Sequence, residues 1–155
     1  MTTVRIRDNR YEAFFPIENS LGFIVYRTAL HMKATLQRRF RQRGYNITTE
    51  QWSIMLSLWE QDGRTQQEIA DKTGKNKANI TRFIDALGRS GYLVRRRDPR
   101  DRRKYAIFLT GRGKDLRRKL MPIVQDLWRH IGGIIPPADL AVTRRTLNKI
   151  FDQLR

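Results

Sequence analysis

The sequence contains no cysteine. That absence excludes disulfides, cysteine-based zinc sites, a thiol nucleophile and a thiol redox switch. Histidine is nearly as scarce: His31 and His130 are the two copies, far apart, with no His-x-x-x-His spacing. With no paired carboxylates beside them, neither metal binding nor acid–base catalysis has a constellation to build on, so no enzyme, metal or cofactor is expected. Long apolar runs are also missing. None approaches the ~18 residues of a membrane span, and Met1-Thr-Thr-Val-Arg5 carries no signal-like apolar region, so a cytoplasmic chain with no membrane partner is expected. Acid is the last shortage: 15 Asp and Glu against 32 Lys and Arg leave a net charge of +17 and a pI near 11.3. So much like charge on a folded chain opposes compaction and calls for a polyanionic partner, nucleic acid ahead of a membrane surface.

What is present fits that partner. The 155 residues suit one compact unit, and 39% apolar residues with three Trp, five Tyr and seven Phe can close a core, which excludes a wholly disordered basic tail. Arginine outnumbers lysine, favouring forked, planar contacts with phosphates and base edges over diffuse point charge.

Periodicity divides the chain. The segment to about Pro16 has no clear period and reads as an arm whose Tyr11, Phe14 and Phe15 need burial elsewhere. From Ser20, Leu21, Ile24, Val25, Met32, Leu36 and Phe40 recur on one face of a long helix ending at Gly44. Arg38, Arg39, Arg41 and Arg43 crowd its end, either complementing the helix dipole on a solvated face or touching phosphate. Thr48-Thr-Glu-Gln51 is a capping box opening a helix with Trp52, Met55, Leu56 and Trp59, and Thr65-Gln-Gln-Glu68 opens a short one that stops at Gly74. Asn76 can cap the next helix, whose Ile80, Phe83, Ile84 and Leu87 form a buried stripe. Ala78, Arg82 and Arg89 fall opposite, with Lys75, Asn79, Thr81 and Asp85 on the shoulders. Such small, amide-bearing and cationic side chains can enter a major groove and read it, although a basic protein also carries them on any exposed helix.

After Gly91, Tyr92-Leu-Val94 and Arg95-Arg-Arg97 form an outgoing strand, Asp98-Pro-Arg-Asp101 a turn, and Tyr105 to Leu109 the returning strand. A cationic tip on a rigid ribbon suits insertion into a minor groove, and an aspartate there can hold a guanidinium bidentately. Thr110 caps a helix with Leu116, Leu120, Ile123, Val124, Leu127 and Ile131 inward, in which Pro122 is expected to cause a kink or break. After Pro136-Pro137, a last helix carries Leu140, Thr143, Leu147, Ile150, Phe151 and Leu154. Wide apolar faces on terminal helices serve either a second copy of the chain or packing within one copy.

This order of elements resembles a winged helix-turn-helix. The wing stretch Gly91-Tyr-Leu-Val-Arg-Arg-Arg-Asp-Pro-Arg-Asp-Arg-Arg-Lys-Tyr-Ala-Ile-Phe-Leu-Thr-Gly-Arg-Gly113, with Thr65-Gln-Gln-Glu-Ile-Ala70 and Lys77-Ala-Asn-Ile-Thr-Arg82, is similar to the MarR (multiple antibiotic resistance regulator) family. The resemblance implies a mainly α (α+β) fold, with 46–110 as the DNA-binding module and 1–45 and 111–155 as dimerisation helices. It further implies a homodimeric repressor on a pseudo-palindromic duplex. Base and phosphate contacts would come from Lys75, Asn76, Lys77, Asn79 and Arg82, and from the wing residues Arg97, Arg100, Asp101, Arg102 and Arg103. In that scheme Arg103 enters the minor groove and Asp101 orients it. Lys75, where an apolar residue is usual, and Asn76, Ala78 and Asn79, where Ser and Thr are, depart from the family pattern and bear on the operator sequence. A small aromatic anion would bind a cleft lined by Tyr26, Arg27, His31, Trp52, Met55 and Trp59, a stripe that can equally be plain core. The competing function is an RNA-binding or ribosome-associated basic protein. Such binders display aromatics for unpaired bases, whereas here aromatics lie on apolar stripes.

Overall fold

The computed structural model describes residues 16–97, 101 and 103–154. A single turn of 3-10 helix at Ile17–Asn19 leads into α1 (Leu21–Gln42). Ser20 caps α1 by accepting from the Phe23 amide at 3.2 Å, and Gly44, at a φ of +82°, ends it. Both expected capping boxes form. Thr48 and Gln51 close one before α2 (Thr49–Glu60), and Thr65 and Glu68 close the other before α3 (Gln66–Thr73). Asn76 caps α4 (Lys77–Arg89), after which Gly91 turns the chain at a φ of +74°.

The hairpin follows as β2 (Leu93–Arg97) and β3 (Tyr105–Leu109), paired antiparallel from Leu93 opposite Leu109 out to Arg97 opposite Tyr105. A strand not anticipated from the sequence, β1 (Arg64–Thr65), pairs with the other edge of β3, so the sheet order is β1-β3-β2. The two-residue β1 is too short to leave a period-2 pattern. Central placement also explains why Ala106 is as fully buried as Ile107, where simple alternation would put one of them outside.

Thr110 caps α5 (Gly111–Gly133), and α6 (Pro137–Gln153) closes the chain. The break expected at Pro122 does not occur; α5 runs through it. Pro122 lies on the exposed side, so the carbonyl it leaves without a helical donor faces water. Buried Leu116, Leu120, Ile123 and Val124 hold the helix on both sides of it.

The core sits where α1, α2 and α5 meet the sheet and α4. Phe40, Ile54, Met55, Leu58, Ile69, Ile80, Leu87, Ile107 and Leu120 are fully enclosed. Phe40, Trp52 and Trp59 pack in series with ring centroids 5.4 and 5.3 Å apart, and Trp59 Nε1 donates to the Gly113 carbonyl at 2.9 Å, pinning α2 to α5. Gln37 bridges α1 to the next loop, donating to the Ile47 carbonyl and accepting from the Thr49 amide.

The outer half of the chain is different. The apolar stripe of α1 buries only at Leu36 and Phe40, leaving Leu21, Ile24 and Val25 open. No residue of α6 is buried, and Leu140, Leu147, Phe151 and Leu154 are exposed. Nor, among the described residues, does α6 pack substantially against another element.

Candidate nucleic-acid interface

Two ties fix α4 as the edge of a rigid platform. Gln66 Nε2 donates to Thr81 Oγ1 at 2.8 Å, linking α3 to α4, and Thr81 in turn donates to the Lys77 carbonyl. On the other flank Arg95 Nη2 meets Asp85 Oδ1 at 2.9 Å, linking β2 to α4. With Ile80, Ile84 and Leu87 buried, Lys77, Ala78, Asn79 and Arg82 face outward together. Arg82 lies over the Phe83 ring at 5.2 Å, which restrains a long side chain on that face. Asn76 is also exposed, but its Oδ1 accepts the Asn79 amide at 2.9 Å, so capping already uses its acceptor. Lys75 does not join this face. It is half-buried in the turn before α4 and lines a cleft on the opposite side, because Gly74 at a φ of +63° redirects the chain there.

The hairpin projects beside α4. Arg97 and Arg103 are exposed, whereas Arg100 and Arg102 lie outside the described residues. The expected bidentate grip of Asp101 on the Arg103 guanidinium is not among the described contacts. Asp101 Oδ1 instead accepts the Arg103 main-chain amide at 3.0 Å, and Oδ2 stands 3.8 Å from Lys104 Nζ. The aspartate shapes the turn and thereby the position from which Arg103 projects. Between the hairpin and the starts of α3 and α4 runs a groove of about 720 Å³ that includes Gln66, Gln67, Lys77 and Lys104. Gln66 and Gln67 open the capped helix α3 on the groove's wall, and the carboxylates of Glu68 and Asp101 line it as well. The two glutamines and Lys104 were not among the site residues read from the sequence, although the Thr65 capping box and the cation density were the available signals.

The six residues proposed for a ligand cleft separate. Met55 has no exposed surface and Trp59 is committed to Trp52 and Gly113, so both belong to the core; their helical spacing reflects packing. Tyr26 is 61% exposed and lines neither of the two cavities described next. Arg27 and His31 line a groove of about 680 Å³ between α1 and α5, together with Arg38, Arg39 and His130. Trp52 shows one edge to a smaller cavity of about 310 Å³, walled by Met32, Leu36, Leu127 and Trp128 and edged by Lys33, Glu50 and Lys75. There Lys33 Nζ sits 2.5 Å from Glu50 Oε1, and this hydrogen bond holds the Glu50 carboxyl below its ordinary value against the opposing effect of burial.

No group of three or more metal-ligating side chains exists among the described residues, and no helix there is long and apolar enough to cross a membrane. Residues 47–105, from just before the first capping box to the start of β3, match the profile of the MarR family. This stretch belongs to the MarR family. Its members are transcriptional regulators, not enzymes. The chain is 31% identical over 104 residues to the HTH-type transcriptional regulator TtmR of Methylorubrum extorquens (strain PA1), a match covering 67% of this chain and 52% of TtmR. The chain therefore spans about half of that relative's length. The same fold occurs in BpsR of Bordetella bronchiseptica, whose DNA binding is regulated by 6-hydroxynicotinic acid (TM-score 0.80, 22% identity, 89% of this chain and 97% of that one). It also occurs in CouR of Rhodococcus jostii RHA1 bound to p-coumaroyl-CoA (TM-score 0.76, 25% identity, 86% and 93% covered). The repressor CouR on a 23-mer DNA duplex matches as well (TM-score 0.73, 25% identity, 89% and 94% covered).

Proposed function

We propose that two copies of this chain form a repressor that grips a pseudo-palindromic DNA duplex and lets go when a small aromatic anion binds. The observation that carries the DNA reading is one continuous cationic surface. Lys77, Asn79 and Arg82 on α4 lie beside Arg97 and Arg103 on the hairpin, held in register by the Asp85–Arg95 and Gln66–Thr81 bonds. On this reading α4 enters the major groove, Arg103 the adjacent minor groove, and Lys104 with the start of α3 takes phosphates. Residues 46–110 act as the DNA-binding module, with Arg100 and Arg102 adding positive charge.

The pairing of copies rests on α1 and α6. A helix with no buried residue and four large apolar side chains in water is not stable as a solitary appendage. A second copy supplies the missing cover, with 1–45 and 111–155 as the shared segments. The named ligands of BpsR and CouR, an aromatic acid and an aromatic thioester, support an aromatic effector. The smaller cavity is of a size and lining to take one ring with an acid group.

The test is selection of duplexes from a random pool by the purified full-length chain, followed by titration at several salt concentrations. Binding of an inverted repeat by a dimer, with log K falling steeply against log salt as counterions are released, is expected. Preference for single-stranded RNA in direct competition would establish the RNA-binding alternative instead.

A further inference from the structure

Glu50 is the one carboxylate among the described residues lining the smaller cavity, and it shares that lining with two lysines from different parts of the fold. Lys33 reaches it from α1 at 2.5 Å, and Thr49 donates its hydroxyl to the other oxygen at 3.3 Å. Lys75 comes from the turn that launches α4, near enough for its charge to act on Glu50. The apolar walls Met32, Leu36, Trp52, Leu127 and Trp128 fit a flat ring but offer nothing to a charge.

We propose that Glu50 is a built-in stand-in for the acid group of an aromatic monocarboxylate: it holds Lys33 in the empty cavity and yields the lysines when such an acid enters. This deepens the effector reading above and rests on it. The charge count selects the ligand class. The described lining holds two lysines and one glutamate, so one ligand carboxylate that takes over Lys33 from Glu50 brings the lining to neutrality, whereas a neutral ring leaves it cationic.

The position of Lys75 carries the consequence to DNA. It lies between Gly74, the left-handed end of α3, and Asn76, the cap of α4, and its amide donates to the Ala70 carbonyl at 3.2 Å. A carboxylate that draws Lys75 into the cavity pulls on the residue that sets where α4 begins. The ring wedges α1 and α5 away from α2 and that same turn. Occupancy and base readout then become two ends of one linkage, each weakening the other.

The experiment follows tryptophan fluorescence of the full-length chain, since Trp52 and Trp128 both face the cavity. Benzoate and 2-naphthoate are titrated, each against its neutral carboxamide. Wild type is expected to prefer acid over amide by about tenfold, and Lys33→Met to lose most of that preference. Glu50→Gln removes the competitor and is expected to bind the acids about three- to fivefold more tightly with amide affinity unchanged, the worth of a partly exposed ion pair. Lys75→Met supplies a second arm, with lowered acid affinity and unchanged amide affinity. If wild type binds the acids but Glu50→Gln binds them equally or more weakly, the stand-in role is overturned while the effector cavity stands. If neither acid nor amide binds wild type or Glu50→Gln, the effector reading at this cavity falls with it.

Discussion

Replacing Gly113 by alanine sets two physical rules against each other. Gly113 lies in the first turn of α5, where alanine is favoured over glycine by up to ~1 kcal/mol. A Cβ at Gly113, however, would stand 2.2 Å from the Tyr92 carbonyl oxygen and 3.3 Å from Leu109 Cδ2. The first distance is to backbone and cannot be relieved by a side-chain rotation, so α5 and the turn after α4 must part by about an ångström. Two bonds cross that seam: Thr110 donates its amide to Tyr92 O at 3.0 Å and its hydroxyl to Gly91 O at 2.6 Å. At about 1 kcal/mol for each strained bond, and with overpacking adding ~1–3 kcal/mol, Gly113→Ala is expected to lose about 2–4 kcal/mol net of the propensity gain. Urea unfolding followed by far-UV circular dichroism, at matched protomer concentration because the proposed pairing of copies would contribute to stability, measures this directly. A variant as stable as wild type, or more so, would refute the argument that this seam is closed.

Three further outcomes are expected. Arg103→Ala should weaken operator binding at least ~10-fold by fluorescence anisotropy, with the dimer still folded by size-exclusion chromatography; unchanged affinity would remove the wing from the interface. Leu147→Asp combined with Phe151→Asp places charge on the uncovered face of α6 and should shift sedimentation from dimer to monomer, whereas a persisting dimer would assign that face another role. Glu50 is depressed below its ordinary 4.5, chiefly by the hydrogen bond from Lys33, so its contribution is present above that value and lost as pH falls through the lower folded value. Lys33→Met should therefore lower Tm slightly at neutral pH, where the ionised pair contributes, and the gap from wild type should close as pH falls through the carboxylate range, which flattens the acid limb of a Tm–pH curve.

The elements that obey local rules are legible in the chain itself. Thr48, Thr65, Asn76 and Thr110 each cap the helix expected of them, because a cap is decided by a side chain and an amide three residues away. Pro122 misleads for the same reason. Its local penalty is real, but exposure to water and the packing on either side absorb it. Trp52, Met55 and Trp59 show the limit of periodicity. Spacing says that they share a face, and only the neighbouring elements decide that Met55 is sealed while Trp52 keeps an edge on a cavity.

Composition, capping and the cationic hairpin are properties of contiguous residues, and they determine by themselves a basic, helix-rich winged module suited to duplex DNA. The pairing of Lys33 with Glu50 and the return of Lys75 to the same cavity join residues from separate stretches of chain. The same is true of the strand at Arg64–Thr65 and the exclusion of α6 from its own core. Tertiary structure decided those, since which surfaces meet depends on how whole helices pack, and no local pattern encodes that distance.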